Sequence, residues 1–272
     1  MYQIECDTHT HTLYSRHAYS TIEENVRAAG EAGIKLLAST DHFSDMLFDD
    51  YKSLKNYQYM LCVGNWPRQW HGVTLLRGCE ADIVDMEGHL FGHDIEITRS
   101  TIGDAVDPAQ RLQDMIFNKL DFVIASVHAK RHAEGQSVLK NTEMYIKAME
   151  NPKVFFIGHI GRAGVPFELD EVIKRAKELH KPIEINEHSF SWEGHHQMVC
   201  RDIAIRCAEL GTGICVNTDA HISCEVGHTE RAQKMLEEIG FPQELIVNRT
   251  KESFLQGLSE SGVVSFDNEM LR

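Results

Sequence analysis

Asp7-Thr-His9-Thr-His11 places two imidazoles two residues apart at the end of a short apolar run. On a strand both would leave the same face and could hold one ion. Alone, that triplet says little in a chain with 16 His among 272 residues. The same chemistry recurs at the end of every other apolar run, as Asp41-His42, Glu80-Ala-Asp82, His128, His159, Glu187-His188 and Asp219-Ala-His221. Neutral imidazole mixed with carboxylate suits Zn²⁺, Mn²⁺ or Fe²⁺, and the lack of Cys near these positions disfavours a structural thiolate site. A single Glu, such as Glu80, can bridge two ions about 3.5–4 Å apart, the separation found in two-metal hydrolases.

These residues need elements to position them. The apolar runs span residues 4–7, 34–39, 73–83, 122–127, 154–158, 182–186 and 213–217, and their length and β-branched content predict buried strands. Between them lie helical signals. Ser20-Thr-Ile-Glu23 reads as a capping box opening a helix to Gly33. Asp107-Pro108 reads as an N-cap with Pro at the first helical position, ahead of Leu112, Met115 and Ile116. Residues 170–180, 196–210, 229–239 and 250–258 complete the series. Strand then helix, repeated about seven times, predicts an α/β protein with a parallel sheet whose C-terminal strand ends converge on one pocket. With no Pro/Ser linker and no break in composition, residues 1–272 are expected to be one domain. Two stretches escape the pattern, 43–72 and roughly 85–107, and both follow strands. In a barrel they would lie over the C-terminal face, where Trp66, Trp70 and the nearby Tyr residues would either wall a pocket or pack.

Composition excludes several classes. With 27 Lys+Arg against 41 Asp+Glu the net charge is −14, a poor match for duplex nucleic acid. No apolar run approaches the ~18 residues a membrane span needs, and the opening residues lack a signal-peptide pattern, so a cytoplasmic protein without membrane contact is expected. The seven Cys are scattered without C-x-x-C, which suggests reduced thiols. Cys62-x₅-Arg68 and Cys200-x₅-Arg206 match the pattern of cysteine phosphatases, but neither has the Gly-rich strand-to-helix loop that cradles phosphate. Pro67 interrupts the first, and the second falls inside an expected helix. No P-loop, nucleophile elbow or dinucleotide fingerprint is present.

Taken in order, Asp7-Thr-His-Thr-His11, Ser-Thr-Asp-His42, Arg-Gly-Cys-Glu80, His128, Gly-His159 and Asn-Thr-Asp-Ala-His221 resemble the successive motifs of the PHP (polymerase and histidinol phosphatase) superfamily. Arg16-His17-Ala-Tyr-Ser is similar to its stand-alone bacterial phosphatases. The resemblance implies a distorted (β/α)₇ TIM-like barrel and a site for three divalent metal ions, usually Zn²⁺, with Mn²⁺ or Fe²⁺ as alternatives. Carried across position by position, it implies that His9, His11, Glu80 and Asp219 hold one ion. Glu80 would bridge to a second held by His128 and His159, while His17, His42 and His221 would hold the third. Such a pocket carries a charge of about +4 inside an acidic protein and would accept a phosphate dianion while repelling long polyanions. A metal-bound hydroxide would attack phosphorus in line, with His42, His221 or Asp219 as proton relay. Arg16, Lys130, Arg131 and Arg162 fall near strand ends and could contact phosphate, although surface charge is the commoner fate of such residues.

The expected activity is hydrolysis of small phosphomonoesters. Histidinol-phosphate phosphatase and a nuclease acting on short oligonucleotides or nucleotide bisphosphates are the alternatives, and a non-catalytic metal-binding module is a fourth reading. Amidohydrolases share the H-x-H signature but often carry a bridging Lys at the fourth strand's end, and the run 122–128 contains none. His89 and His93, in the stretch that looks longer than in relatives, read as part of a solvated loop, with extra substrate contacts as the alternative.

Overall fold

A computed structural model describes residues 2–191 and 194–266. Seven strands carry the core: β1 (Cys6–Thr10), β2 (Leu36–Ser39), β3 (Val73–Asp82), β4 (Phe122–Ser126), β5 (Val154–Ile157), β6 (Ile183–Asn186) and β7 (Ile214–Asn217). Nearly every residue in them is buried, as expected for parallel strands covered on both faces. The first five form a continuous parallel ladder in sequence order, and β6 pairs in parallel with β7.

The curled sheet therefore has two seams. At β7–β1 a single bridge, Thr10–Ala220, is reinforced by side chains. Asn217 Oδ1 accepts from Thr8 N at 3.0 Å and Thr8 Oγ1 at 2.7 Å, and Thr218 Oγ1 donates to Asp7 Oδ2 at 2.6 Å. At β5–β6 no ladder forms among the described residues. There the His159 N–H, just past β5, is taken by Glu184 Oε2 of β6 at 2.5 Å.

The interior is layered. Cys6, Leu36, Leu76, Phe122, Phe156 and Cys215 pack into an apolar floor with Phe254 and Leu258 of α8 (Lys251–Glu260). Burying each large side chain there contributes roughly 1.5–3 kcal/mol. Four residues further along the same strands, and so on the same face, Glu80 stands above Leu76 and Ser126 above Phe122. β1 reaches this upper layer through a register slip against β2 between Asp7 and Thr10. The bulge re-aims the chain so that Cys6 joins the floor while His9, three residues on, joins the polar layer.

The remaining helices are α1 (Ile22–Glu31), α2 (Gln58–Leu61), α3 (Leu112–Phe117), α4 (Val138–Glu150), α5 (Leu169–Glu178), α6 (His195–Leu210) and α7 (Glu230–Glu238). Three expectations need correction. The capping box of α1 is Thr21 with Glu24, one residue later than read, because Ser20 is buried and accepts from Ser223 N at 2.8 Å. Asp107-Pro108 does not open a helix: residues Ala105–Arg111 pair antiparallel with Glu96–Arg99, and α3 starts only at Leu112. α4 has no counterpart among the sequence expectations, although Asn141, Met144, Tyr145, Ala148 and Met149 are buried at helical spacing.

The 43–72 segment also runs differently from its expected place over the site. His42–Phe43 pairs with Glu80–Ala81 at the upper end of β3, but Gln69–Trp70 pairs antiparallel with Val73–Thr74 at its lower end. Trp66 and Trp70 thus pack against the core at the bottom of the barrel rather than walling a pocket. No described helix is long and apolar enough to cross a membrane.

Candidate metal centre

His9, His11, His17, His42, Glu80, His128, His159, Asp219 and His221 gather at the upper strand ends. Four of the imidazoles are pinned through Nδ1: His9 to Glu184 Oε1 (2.8 Å), His11 to Ser15 Oγ (3.1 Å), His128 to Asp82 Oδ1 (2.6 Å) and His221 to the Asp219 carbonyl (2.8 Å). Ser15 donates its one hydroxyl proton to Asp41 Oδ1 at 2.7 Å, so toward His11 it accepts, and Nδ1 of His11 carries the proton. Pinning of this kind fixes the tautomer and leaves Nε2 as a ligand atom.

The inward atoms are closely spaced. His9 Nε2 lies 3.4 Å from Glu80 Oε1 and 3.5 Å from Asp219 Oδ1, and His11 Nε2 lies 3.1 Å from Asp219 Oδ1. Glu80 Oε2 is 2.9 Å from His42 Nδ1 and 3.5 Å from His128 Nε2, while its Oε1 is 2.9 Å from His159 Nε2. His17 Nε2 sits 3.2 Å from His42 Nε2. Four donors at zinc distances in a tetrahedron are about 3.4 Å apart, which is the spacing seen here.

These atoms also lack other partners. His9 Nε2, His11 Nε2, His42 Nδ1, Glu80 Oε2 and Asp219 Oδ1 are buried and make no hydrogen bond. Each such group costs about 1–3 kcal/mol unless something satisfies it, and for a set rich in lone pairs the fitting partner is a cation. Within this cluster, three-residue groups with ligand atoms in reach of one another are His9/His11/Asp219, His42/Glu80/His128 and His11/His42/His221. The first holds three of the four residues expected around one ion. In the third, His11 takes the place expected of His17, whose ring nevertheless stacks 4.9 Å from His42 and 4.8 Å from His221.

Electrostatics keep the carboxylates ionised. Burial works against the charged form of Glu80, but His128, His9, His159 and His42 hold it well below the ordinary Glu range. Asp219 is likewise lowered against burial, by His9 and His11. Burial opposes the charged form of His128 too, but Glu80 and Asp82 push it up to about 9. For His11 burial dominates, helped by His42 and His221, and its value falls well below that of a free imidazole.

The site is a well with a buried floor. His9, His11 and Glu80 are inaccessible, whereas the side chains of His128 and His221 are 25% and 21% exposed and His17 is open to solvent. Asp219 and His159 adopt left-handed backbone, φ 60° and 32°, which costs on the order of 1–3 kcal/mol each and is held by the Asp219 N–H to the His9 carbonyl and the His159 N–H to Glu184. Gly158 is required: a Cβ there would sit 2.2 Å from Ser126 Oγ, which itself donates to Glu80 Oε1 at 2.6 Å.

Of the four cations expected near phosphate, Arg162 reaches the cluster, donating to Asp219 Oδ2 at 2.7 Å. Arg16 is exposed and lies over the Phe48 ring, Arg131 is exposed 3.8 Å from Asp45, and Lys130 is exposed beside Gly164. The residue missed from sequence is Glu184, fully buried beneath His9 and His159. Its signal was a carboxylate inside an apolar Ile-Glu-Ile run. Glu187, which the sequence offered for that strand, instead accepts the N–H groups of Arg231 (3.2 Å) and Ala232 (2.8 Å) at the start of α7. The cysteine–arginine pairs do not form: Arg68 binds Asp121, Arg206 binds Asp170, and the Cys200 thiol is buried in α6 and pushed up to about 11.

The PHP domain profile matches residues 7–188. A protein of Clostridium botulinum strain Okra described as a probable phosphatase is 39% identical over 256 residues, covering 94% of this chain and 95% of that one. Among solved structures, histidinol phosphate phosphatase from Lactococcus lactis, determined with zinc, L-histidinol and phosphate, aligns with a TM-score of 0.54 and 17% identity, over 88% of this chain and 94% of that one. A chain in the cryo-EM structure of archaeal ribonuclease P with mature tRNA aligns at 0.53 with 12% identity, over 97% of this chain and 94% of that one. Those two alignments speak for the fold alone, which serves proteins of unlike activity.

Proposed function

Because the chain belongs to the PHP domain family, we propose that this phosphatase removes phosphate from small phosphomonoesters, using three divalent ions held in the well at the strand ends. Zinc is the first choice by ligand type, with manganese or iron as alternatives. One observation carries the reading: buried, unpartnered nitrogen and oxygen atoms stand at the mutual spacing of a metal's ligands. His9, His11, Glu80 and Asp219 would serve one ion, Glu80 with His128 and His159 a second, and His17, His42 and His221 a third.

Bound there, the ions would supply water that ionises near neutral pH and positive charge for the phosphoryl oxygens. The chain's own residues do the rest. Glu80 turns Oε1 toward His159 and Oε2 toward His11, residues of the two ions it would bridge. Glu184 and Asp82 hold His9 and His128 in one tautomer. Arg162, which pairs with Asp219, would orient a phosphate entering past His128 and His221. His42, His221 or Asp219 would pass a proton to the departing oxygen. Arg16, Lys130 and Arg131 on the rim would draw in a small anion, while the chain's −14 charge discourages long ones. Residues 1–272 are taken as one catalytic unit in this reading.

The test is phosphate release from a panel containing sugar phosphates, histidinol phosphate, nucleoside 3′,5′-bisphosphates and short oligonucleotides, with metal-replete and chelated protein. Turnover that chelation removes and Zn²⁺ or Mn²⁺ restores is expected, greatest on a phosphomonoester. No turnover on any member from protein retaining about three metals per chain would overturn the reading in favour of a binding role.

A further inference from the structure

Asp85, His89 and His93 lie on the turn that follows β3, outside the well. Each offers one ligand atom, and these atoms lie within 4.8 Å of one another. The two rings stack at 4.4 Å between centroids with 5° between their planes. Three further observations separate this trio from an ordinary solvated loop.

The first is that the turn is preorganised. Asp85 Oδ1 accepts from the N–H groups of Glu87 at 2.9 Å and His89 at 3.1 Å, and its Oδ2 faces His89 Nδ1 at 2.8 Å. Gly88 at its apex, with φ 72°, is pressed against α4 so closely that a Cβ would come within 2.6 Å of the Ala148 nitrogen. Second, His93 Nδ1 is buried without a hydrogen-bond partner, although the ring as a whole is 27% exposed. Third, His89 and His93 line a recess of about 570 Å³ that gives water and ions access to them.

We infer that Asp85, His89 and His93 form a second, mononuclear metal site for Zn²⁺ or a neighbouring late first-row ion, distinct from the catalytic well. Two imidazoles and one carboxylate select that class over Mg²⁺ and Ca²⁺, which prefer all-oxygen shells. The ligand atoms must draw in by roughly an ångström to reach tetrahedral spacing, which the exposed His89 side chain permits, and solvent fills the remaining position. The site would act as a staple. Ile83 bridges Leu90, and Phe91 N donates to the Asp82 carbonyl at 2.8 Å, so an ion across the turn clamps the backbone next to the carboxylate that orients His128.

The experiment is equilibrium dialysis of the full chain against graded Zn²⁺, with metal counted per chain and Mg²⁺ as the control ion. Wild type is expected to bind about one Zn²⁺ more than His89→Gln or Asp85→Asn. The same increment should separate H9A/H11A from H9A/H11A/H89Q, so the result stands apart from whether the well turns over phosphoesters. Hydrogen exchange at residues 85–94 should slow on Zn²⁺ addition in wild type and not in His89→Gln. Equal zinc counts and equal exchange in wild type and both variants would overturn the site. His89→Gln is the primary variant because its side chain is 52% exposed and its loss leaves the packing intact.

Discussion

Two groups of His and carboxylate occupy this molecule and differ in what holds them. In the well, ligands come from strands far apart in sequence and are pinned from behind by Glu184, Asp82 and Ser15, and five inward atoms are buried without a hydrogen bond. On the turn, Asp85, His89 and His93 span nine residues of one loop, Asp85 and His89 face each other, and of the trio's atoms only His93 Nδ1 is buried without a hydrogen bond. The free energy of binding a metal would accordingly go to different ends in the two. In the well an ion relieves buried lone pairs that otherwise oppose the fold, so affinity and stability are linked. On the turn there is little to relieve, and an ion stiffens the loop without deciding whether the barrel forms.

Removing His9 and His11 together should widen that contrast most. The H9A/H11A protein is expected to fall to buffer background in phosphate release and to lose metal while circular dichroism stays native. Chelation should lower the unfolding temperature of wild type far more than that of the variant. A fully active H9A/H11A protein would put the chemistry elsewhere.

Glu184→Ala comes next. It frees the His9 ring and strips the His159 N–H of its acceptor, so metal affinity or turnover should drop roughly 10–100-fold. Metal analysis beside kcat checks this, and unchanged values would mean that His9 needs no support from behind.

Glu187, turned away from the well, brings in pH. Burial, only partly offset by the N–H groups of Ala232 and Arg231, raises it from the usual 4.5 to about 7. The native state therefore binds more protons than the unfolded chain between those values, and the contribution to stability present below 4.5 is lost as pH rises through 7. Glu187→Gln keeps an acceptor and cannot ionise, so it should raise the unfolding temperature by a few degrees at pH 8 and by little at pH 5. A gain equal at both pH values would contradict the burial argument. The smallest effect is expected from Cys62→Ser, which should leave turnover unchanged; loss by orders of magnitude would revive a thiol nucleophile.

Much of the well was legible because strand ends are legible. His9 and His11, or Asp219 and His221, each follow a short apolar run, and alternation of such runs with amphipathic segments implies converging C-terminal ends. Glu184 escaped because a charge within a strand resembles ordinary alternation until the strand is known to be covered on both faces. Glu187 misled for the opposite reason: next to His188 in sequence, it is turned away by the start of α7. The path of residues 43–72 was equally hidden, since only the pairing of Gln69–Trp70 with Val73–Thr74 carries it to the bottom of the barrel. Which residues share an ion is also a tertiary matter, because the packing brings His11 beside both His42 and His221.

The β7–β1 seam has a consequence for the protein's synthesis. Its closing contacts span nearly the whole chain: Thr218 meets Asp7 across 211 positions, and Asn248 Nδ2 reaches the Cys6 carbonyl across 242. A ribosome delivers the N-terminus first, so His9 and His11 emerge long before Asp219 and His221 exist to face them. Once residue 159 is made the nascent chain holds seven of the nine proposed ligands and waits for the last two, Asp219 and His221. The contacts that shut the ring cannot form until Asn248 has cleared the exit tunnel.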